Sequence, residues 1–224
     1  SAIDIVSGKK FDLVLDTKVP IAKYTDIVTG EECDLCVNGI LGVINSKLIR
    51  TYIDIDQRYH KLAYFIKFWT KHWKLVGADN GYLSSYAIQN LIIAFLQGGL
   101  EIPVLPNLQD FDKDEHKVIR YYLPRGYTDT VAQANCYFIT KFDDLQKEME
   151  EKFGENKMST AELAYNFFKF FSESFKCERE ISIKDGGFIP KENKLDKTAF
   201  SIVDPFQIEH NPGQNLKHTS VAYK

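Results

Sequence analysis

The chain has 224 residues, room for one large domain or two small ones, and 44% of them are hydrophobic, so a sizeable core is expected. Charged residues make up 26%, ordinary for a soluble globular protein, and the net charge of −3 does not by itself mark a nucleic-acid binder. No apolar run reaches the length of a bilayer span and no signal-peptide pattern opens the sequence, which points away from membrane-embedded and secreted classes.

The first elements read as strands. Residues 11–15 alternate, and Pro20 punctuates a second extended run through Tyr24. Thr29-Gly30-Glu31 signals a turn, and Glu32 to Val37 reads as a return strand. From about Ile44 the period becomes helical, with Leu48, Tyr52 and Ile55 on one face. Asp56 is placed to cap a second helix whose apolar face holds Leu62, Phe65, Ile66, Trp69 and Trp73. Ser84 is placed to cap a third, through Ile88, Leu91, Ile92, Phe95 and Leu96, which Gly98-Gly99 stops. IPVLPNL is an extended exit, and residues 110–135, with Pro124 and Gly126, read as charged and loop-like. Ser159 opens a further helix that buries Leu163, Phe167, Phe170, Phe171 and Phe175. ISI, GGFIP and AFSIVDPF then read as short extended pieces. Strands first, helices after and a short extended coda predict an α+β fold.

Several residues carry chemistry. Lys67, Lys71 and Lys74 recur at helical spacing on one face; a solvated stripe explains them alone, and point charges aimed at polyphosphate are the functional alternative. Ser84 and Ser85 are capping residues at a helix start, which also offers free N–H groups to an anion. Tyr86 is either core or a flat face for a nucleobase. Asp34, in EECDLCV, is a candidate Mg²⁺ ligand or an edge-strand carboxylate facing water. Asp54 and Asp56 form an Asp-x-Asp, but a helix cap and an ion pair with Arg58 explain them better than a metal pair. Cys33, Cys36, Cys136 and Cys177 read as reduced thiols, and the Cys-x-x-Cys of the first two as strand residues rather than a zinc or redox site. His210, beyond the Asp-Pro-Phe turn, is polar surface on its own account.

An ordered set of stretches gives these residues a common meaning: CDLCVNGILGVINSKLIRTYIDIDQRY, FIKFWTKHW, YLSSYAIQNLIIAFLQ, IPVLPNL, NFFKFFSESF and SIVDPFQIEHNPG. Together they resemble the terminal uridylyltransferases and related poly(A) polymerases, within the DNA polymerase β-like nucleotidyltransferases, from about Val14 to Asn215. The resemblance implies the end of a palm-like mixed sheet over residues 1–43. It implies a mostly helical central domain over 44–224, with a PAP-associated segment at about 159–215. It implies that Asp34 is the third catalytic carboxylate and a ligand of Mg²⁺ (or Mn²⁺). Asn45 would contact the ribose, Lys67, Lys71 and Ser85 the triphosphate, and Tyr86 would stack on the base. Asp204 and His210 would read the base edge. Partners implied are UTP, an RNA 3′ end and a recruiting protein, in the cytoplasm or an organelle. In this family a histidine at the position of His210 accompanies UTP preference, so uridylyl transfer is expected ahead of adenylyl transfer or a non-catalytic RNA-binding role. Gln207 stands where uridylyltransferases often have an acid, and the family's Asp-x-Asp is not found upstream of Leu13, so two carboxylates are expected outside this sequence.

Overall fold

A computed structural model describes residues 12–15, 20–36, 39–77, 81–110, 117–122, 131–176, 178–191, 201–207, 210–214 and 216. Phe11, Val37, Pro124, Gly126 and Cys177, named above, lie outside the described residues. The chain divides into two compact units, residues 1–45 with 117–136, and residues 46–116 with 137–224.

In the smaller unit β1 (Asp12–Val14), β2 (Ile21–Thr25) and β3 (Glu32–Cys36) form an antiparallel meander in that order. The β2–β3 turn forms where the sequence signals it. Asp26 Oδ1 accepts the Val28 N–H at 2.7 Å, and Gly30, at φ 74°, takes the left-handed conformation that closes the hairpin. The register sets Asp12 opposite Lys23 and Lys23 opposite Asp34. Directly opposed residues share a face, so acid, base and acid form one row across the three strands. Cys33 and Cys36, three apart on β3, project to opposite faces. That disposes of a shared zinc or disulfide and supports the reading as strand residues. The stretch expected to be loop-like instead holds β4 (Val118–Tyr122) and β5 (Val131–Asn135), paired antiparallel from Val118–Asn135 to Tyr122–Val131. Charged residues concealed the β-branched and aromatic alternation of that hairpin.

The larger unit is built on helices. α1 (Ile40–Ile55) begins four residues before its expected start and crosses the division between units. α2 (Gln57–His72) is capped by Asp56, whose carboxylate accepts the Arg58 N–H at 2.7 Å. The same carboxylate pairs with the Arg58 guanidinium at 2.7 Å, and Asp54 pairs with Arg50 at 2.9 Å. Cap and ion pairs therefore account for the Asp-x-Asp. α3 (Ser85–Gly98) starts at its Ser84 cap, where Oγ accepts the Ala87 N–H at 3.1 Å, and runs through the core with Ala87–Ile88 and Asn90–Gln97 buried. It packs against α2, and at its far end against β7 (Gly187–Pro190). There a Cβ on Gly98 would meet the Gly186 carbonyl oxygen at 2.8 Å, and one on Gly187 the Ala94 carbonyl oxygen at 2.8 Å. Only glycines allow that approach.

The core-facing side of α2 is Tyr59, Leu62, Ala63, Ile66 and Thr70. Phe65, expected inside, is exposed because it lies about a third of a turn from the centre of the buried stripe, and Trp73, also expected inside, is exposed at the cap beyond the last helical residue. α4 (Asp143–Phe153) was not foreseen and buries none of its residues. α5 (Thr160–Lys169) carries a full capping box, Ser159 with Glu162, and buries Leu163 and Phe167. A π turn at Phe170–Ser174 follows, which places Phe170, Phe171 and Phe175 around Phe188 at ring separations of 4.9, 6.3 and 5.8 Å. These three rings are half-buried rather than fully enclosed. β6 (Arg179–Ser182) pairs antiparallel with β7 and parallel with β8 (Ile202–Val203), realising the extended coda.

Polar cross-links fix this unit. Gln97 donates to the Tyr52 hydroxyl at 2.9 Å and to the Pro106 carbonyl at 3.1 Å. Arg58 donates to the Asn156 and Met158 carbonyls at 2.8 Å each, tying α2 to the segment before α5. No helix among the described residues is long and apolar enough to cross a membrane.

Candidate nucleotide-binding site

Within the larger unit, several sequence-predicted residues gather at one end. α2 stops at His72, and Lys74, at φ 54°, turns the chain out of the helix, so only Lys67 and Lys71 share its face. Both are exposed. Val76 then bridges to Leu83, and Gly77 donates to the Leu83 carbonyl at 3.1 Å. That bridge returns the chain from the lysine end of α2 to the start of α3, where Ser85 is exposed in the first turn. A helix start has unpartnered N–H groups and a positive dipole end, so two ammonium groups and this terminus suit an anionic ligand.

Tyr86 stands one residue further in. Its hydroxyl is buried with no partner at hydrogen-bonding geometry among the described residues. Burial first, and then the negative charge of Asp204, push its phenol well above the ordinary value. One turn on, Asn90 donates to the Tyr86 carbonyl at 2.9 Å, while its own buried Oδ1 has no partner at close hydrogen-bonding geometry among the described residues. The Tyr86 hydroxyl interacts with the Asn90 and Asp204 side chains at the limit of hydrogen-bonding geometry, so the three form one polar group at this helix start.

The Asp-Pro-Phe turn closes against this helix start. Asp204 is only 2% exposed. Its Oδ1 accepts the N–H groups of Phe206 and Gln207 at 3.0 Å each, which holds the turn, and its Oδ2 lies 3.4 Å from His210 Nδ1. The backbone repeats the closure: Asp204 N donates to the His210 carbonyl at 3.3 Å, and His210 N to the Gln207 carbonyl at 2.8 Å. Asn211 Oδ1 clamps both flanks, accepting from Ile202 N at 3.0 Å and Gly213 N at 2.8 Å. Gln109 donates to the Pro205 carbonyl at 3.1 Å, so the IPVLPNL exit also braces the turn. The His210 side chain remains 38% exposed. Tyr86, Asp204 and His210, distant in sequence, are thus neighbours. Asp204 has its oxygens engaged inward and leaves His210 as the accessible member. Sequence reasoning missed Asn90, although its spacing of four from Tyr86 was a signal.

Asp34 and Asn45 belong to the smaller unit. Asp34 is exposed on the edge strand β3 beside Lys23. Asn45, in α1, has a buried Oδ1 without a partner among the described residues. Among the described residues no three His, Cys, Asp or Glu side chains cluster as a metal site. An exposed carboxylate has the right donor chemistry for a hard divalent cation, but such an ion takes six or so oxygens, so Asp34 could supply only part of the set.

Comparison with known proteins gives this arrangement a lineage. Residues 6–54 match the central palm domain of mitochondrial-like poly(A) RNA polymerase. Human terminal uridylyltransferase 7 is 32% identical over 213 residues, which is 94% of this chain and 14% of that protein. Poly(A) RNA polymerase GLD2-B of Xenopus laevis is 32% identical over 180 residues, 78% of this chain and 31% of that protein. The chain therefore spans well under half the length of these relatives. Among solved structures, the Cid1 poly(U) polymerase bound to Mg 3′-dATP superposes with a TM-score of 0.77 at 24% identity, over 98% of this chain and 64% of that one. Cid1 with the UTP analogue UMPNPP gives 0.78 at 23% identity, over 98% and 66%. The α+β fold is shared with the Cid1 catalytic region, and the chain belongs to the terminal uridylyltransferase and poly(A) polymerase family of nucleotidyltransferases.

Proposed function

We propose that this protein serves RNA 3′-terminal uridylyl transfer, with UTP held in the larger unit. The observation that carries the reading is the Tyr86–Asp204–His210 cluster. Through the shared Asp204 it links an aromatic ring at the helix start to an imidazole that is 38% exposed. The Tyr86 ring stacks on the base, an interaction of about 1–3 kcal/mol. His210 faces the base edge, where an N–H donor suits the O4 acceptor of uracil and opposes the N6 donor of adenine. Lys67, Lys71 and Ser85 hold the triphosphate, and Asn45 is the residue proposed for the ribose. In the transfer, the RNA 3′-oxygen forms a bond to the α-phosphorus as the bond from phosphorus to the pyrophosphate oxygen breaks. The hydroxyl proton passes to solvent and pyrophosphate leaves. Asp34, with two carboxylates from outside the described residues, would hold Mg²⁺ or Mn²⁺, which offsets charge on the phosphate oxygens. The RNA 3′ end is the acceptor, and a recruiting protein selects it.

Support comes also from Cid1, which binds a UTP analogue and the product ApU on the same fold. Adenylyl transfer is the second reading, favoured by the equal 32% identity of the poly(A) RNA polymerase relative. Competitive incorporation of UTP and ATP by the full-length protein on a single-stranded RNA separates the two. UTP is expected to dominate, and His210→Ala to raise the use of ATP. Equal incorporation removes the uridylyl assignment. Absence of any transfer, with Asp34→Ala matching wild type in RNA binding, leaves a non-catalytic RNA-binding subunit.

A further inference from the structure

The outer face of α2 carries a row of flat side chains that neither the core nor the nucleotide site uses. His60, Tyr64, Phe68 and His72 recur every four residues, so they form one ridge, about 6 Å apart along the helix axis. All four are exposed, Tyr64 to 72% and Phe68 to 64%. The Phe68 ring lies nearly parallel to that of His72, with 20° between planes and 6.3 Å between centres. His72 in turn meets the exposed Trp73 edge-on at 5.2 Å. Beside the ridge, a cleft of about 490 Å³ opens between α2 and α5, walled by Phe65, Ala164, Tyr165 and Phe168. Tyr165 is exposed as well, so the aromatic surface continues across the cleft onto α5.

The charge of this surface selects its occupant. No Asp or Glu occurs from Gln57 to Gly77. Three exposed lysines border the ridge: Lys61 and Lys67 stand three residues either side of Tyr64, and Lys71 three residues beyond Phe68. On the α5 side, Glu162 is engaged by the Ser159 N–H and hydroxyl at 2.7 and 2.8 Å, and Glu155 lies 3.7 Å from Lys157. An apolar partner helix laid on the ridge would desolvate the lysines without pairing them. A polyanion with flat units matches both features, the rings taking its bases and the ammonium groups its phosphates. We propose that the outer face of α2, with Tyr64 and Phe68 at its centre, is a stacking platform for the single-stranded tract of the RNA acceptor. This rests on the reading of an RNA 3′ end as acceptor, and it adds a site outside the one assigned to UTP. Lys67 and Lys71, assigned to the triphosphate, border the same ridge, so the two sites adjoin along α2. Every base has a face to stack, so the platform sets affinity for unpaired RNA and not its sequence.

The experiment is equilibrium binding to the full-length protein of a single-stranded RNA of about 15 nucleotides and, separately, of UTP with Mg²⁺. Tyr64→Ala and Phe68→Ala should each weaken RNA binding by about 5- to 100-fold, the range lost with one stacked base, and leave UTP binding unchanged. Tyr64→Phe keeps the ring and should bind RNA as wild type does. Lys61→Ala should lower the slope of log affinity against log salt by about 0.7, the share of one phosphate on a single strand. Fully paired RNA of the same length offers no free bases, so its binding should lose little when the rings are removed. Both rings are exposed, so the variants should unfold in urea at the wild-type midpoint; should one not, the Lys61→Ala slope decides. RNA affinity untouched by both ring variants overturns the platform and leaves the uridylyl reading standing. So does equal weakening for paired and unpaired RNA, which would assign the face to backbone contacts alone. Ring variants that bind RNA normally but lose a protein partner would make the face a protein interface and overturn the platform too. Binding of UTP without any binding of RNA removes the RNA acceptor and the platform with it. Binding of RNA without UTP overturns the nucleotide reading and leaves the platform standing.

Discussion

Leu62 in the helical unit is fully buried, whereas Leu13 on the three-stranded sheet of the smaller unit is 63% exposed. The contrast extends through both units. α3 is buried along most of its length, while Leu13, Leu35, Ile40 and Val43 of the smaller unit all remain open. The helical unit therefore draws its stability from close-packed side chains, and the sheet draws its order mainly from strand pairing. Their proposed chemical duties differ in parallel. The residues assigned to the triphosphate and base lie in the well-packed unit, on helix ends and a turn with redundant bracing. The carboxylate assigned to transfer lies on an exposed edge strand. Holding a nucleotide and transferring it should thus respond to mutation separately.

The largest expected effect tests that separation. Asp34→Ala should reduce nucleotide addition by about 10³-fold, since a lost metal ligand removes several kcal/mol of transition-state stabilisation. UTP binding by the same variant, measured by equilibrium dialysis, should weaken by less than about tenfold. Losses of equal size in both assays would erase the division of labour. The structural half of the comparison is tested by urea unfolding. Leu62→Ala should cost about 2–5 kcal/mol, as removal of a core side chain leaves a cavity. Leu13→Ala should stay within about 0.5 kcal/mol. Similar losses at the two leucines would mean that the sheet builds a core comparable to the helical one.

The same contrast explains what was legible in the sequence. Helix starts at Asp56, Ser84 and Ser159 could be read because a cap is a local event: one side chain satisfies an N–H two or three residues on. The first hairpin was legible for the same reason, through Thr29-Gly30-Glu31, while the Asp26 carboxylate that also holds the turn was not read. The inward face of α2 was not, because Phe65 and Trp69 pack sideways onto Phe168 of α5, and nothing in periodicity states which neighbour a helix will meet. The β4–β5 hairpin lay hidden among charges. Of the site, the residue types and their order could be read, and family resemblance supplied their roles. That Asp204 faces inward, engaged by Phe206, Gln207 and His210, could not be read, since it depends on the turn closing in three dimensions.

Tyr86 sharpens the comparison at an intermediate scale, because it belongs to both packing and binding. Tyr86→Ala should weaken nucleotide binding by about 1–3 kcal/mol through lost stacking. Tyr86→Phe keeps the ring and removes a buried hydroxyl with no partner at close hydrogen-bonding geometry among the described residues, so unfolding near neutral pH should change by less than about 1 kcal/mol. The pH dependence has a definite sign. Burial and the Asp204 charge raise the folded phenol above its ordinary 10.0. The stabilisation is then complete below pH 10 and is lost as pH rises beyond it, because the unfolded phenol ionises first. Tyr52 and Tyr59, also raised by burial, share this alkaline loss. Tyr86→Phe should reduce it only in part, and an alkaline unfolding curve identical to wild type would show that the phenol is not held as described.

A modest effect is expected at the start of α5, where the helical unit shows a purely local device. Ser159 Oγ accepts the Glu162 N–H at 3.3 Å, and Glu162 accepts the Ser159 N–H at 2.7 Å. Ser159→Ala should cost about 1 kcal/mol in urea unfolding. The Ser159 N–H and then its hydroxyl hold the Glu162 carboxyl below its ordinary 4.5. The sign is opposite to that of the tyrosines: this contribution is present above pH 4.5 and fades as acid protonates the folded carboxylate. Trp69 supplies the readout, since its ring lies 4.8 Å from Phe168 on α5 and its fluorescence senses whether that helix is docked. Glu162→Gln, which keeps an acceptor but cannot titrate, should remove part of the acid sensitivity of that signal. An unaltered acid transition in this variant would mean that the helix start contributes nothing to it, leaving the packed rings of α2 and α5 to hold this part of the unit by themselves.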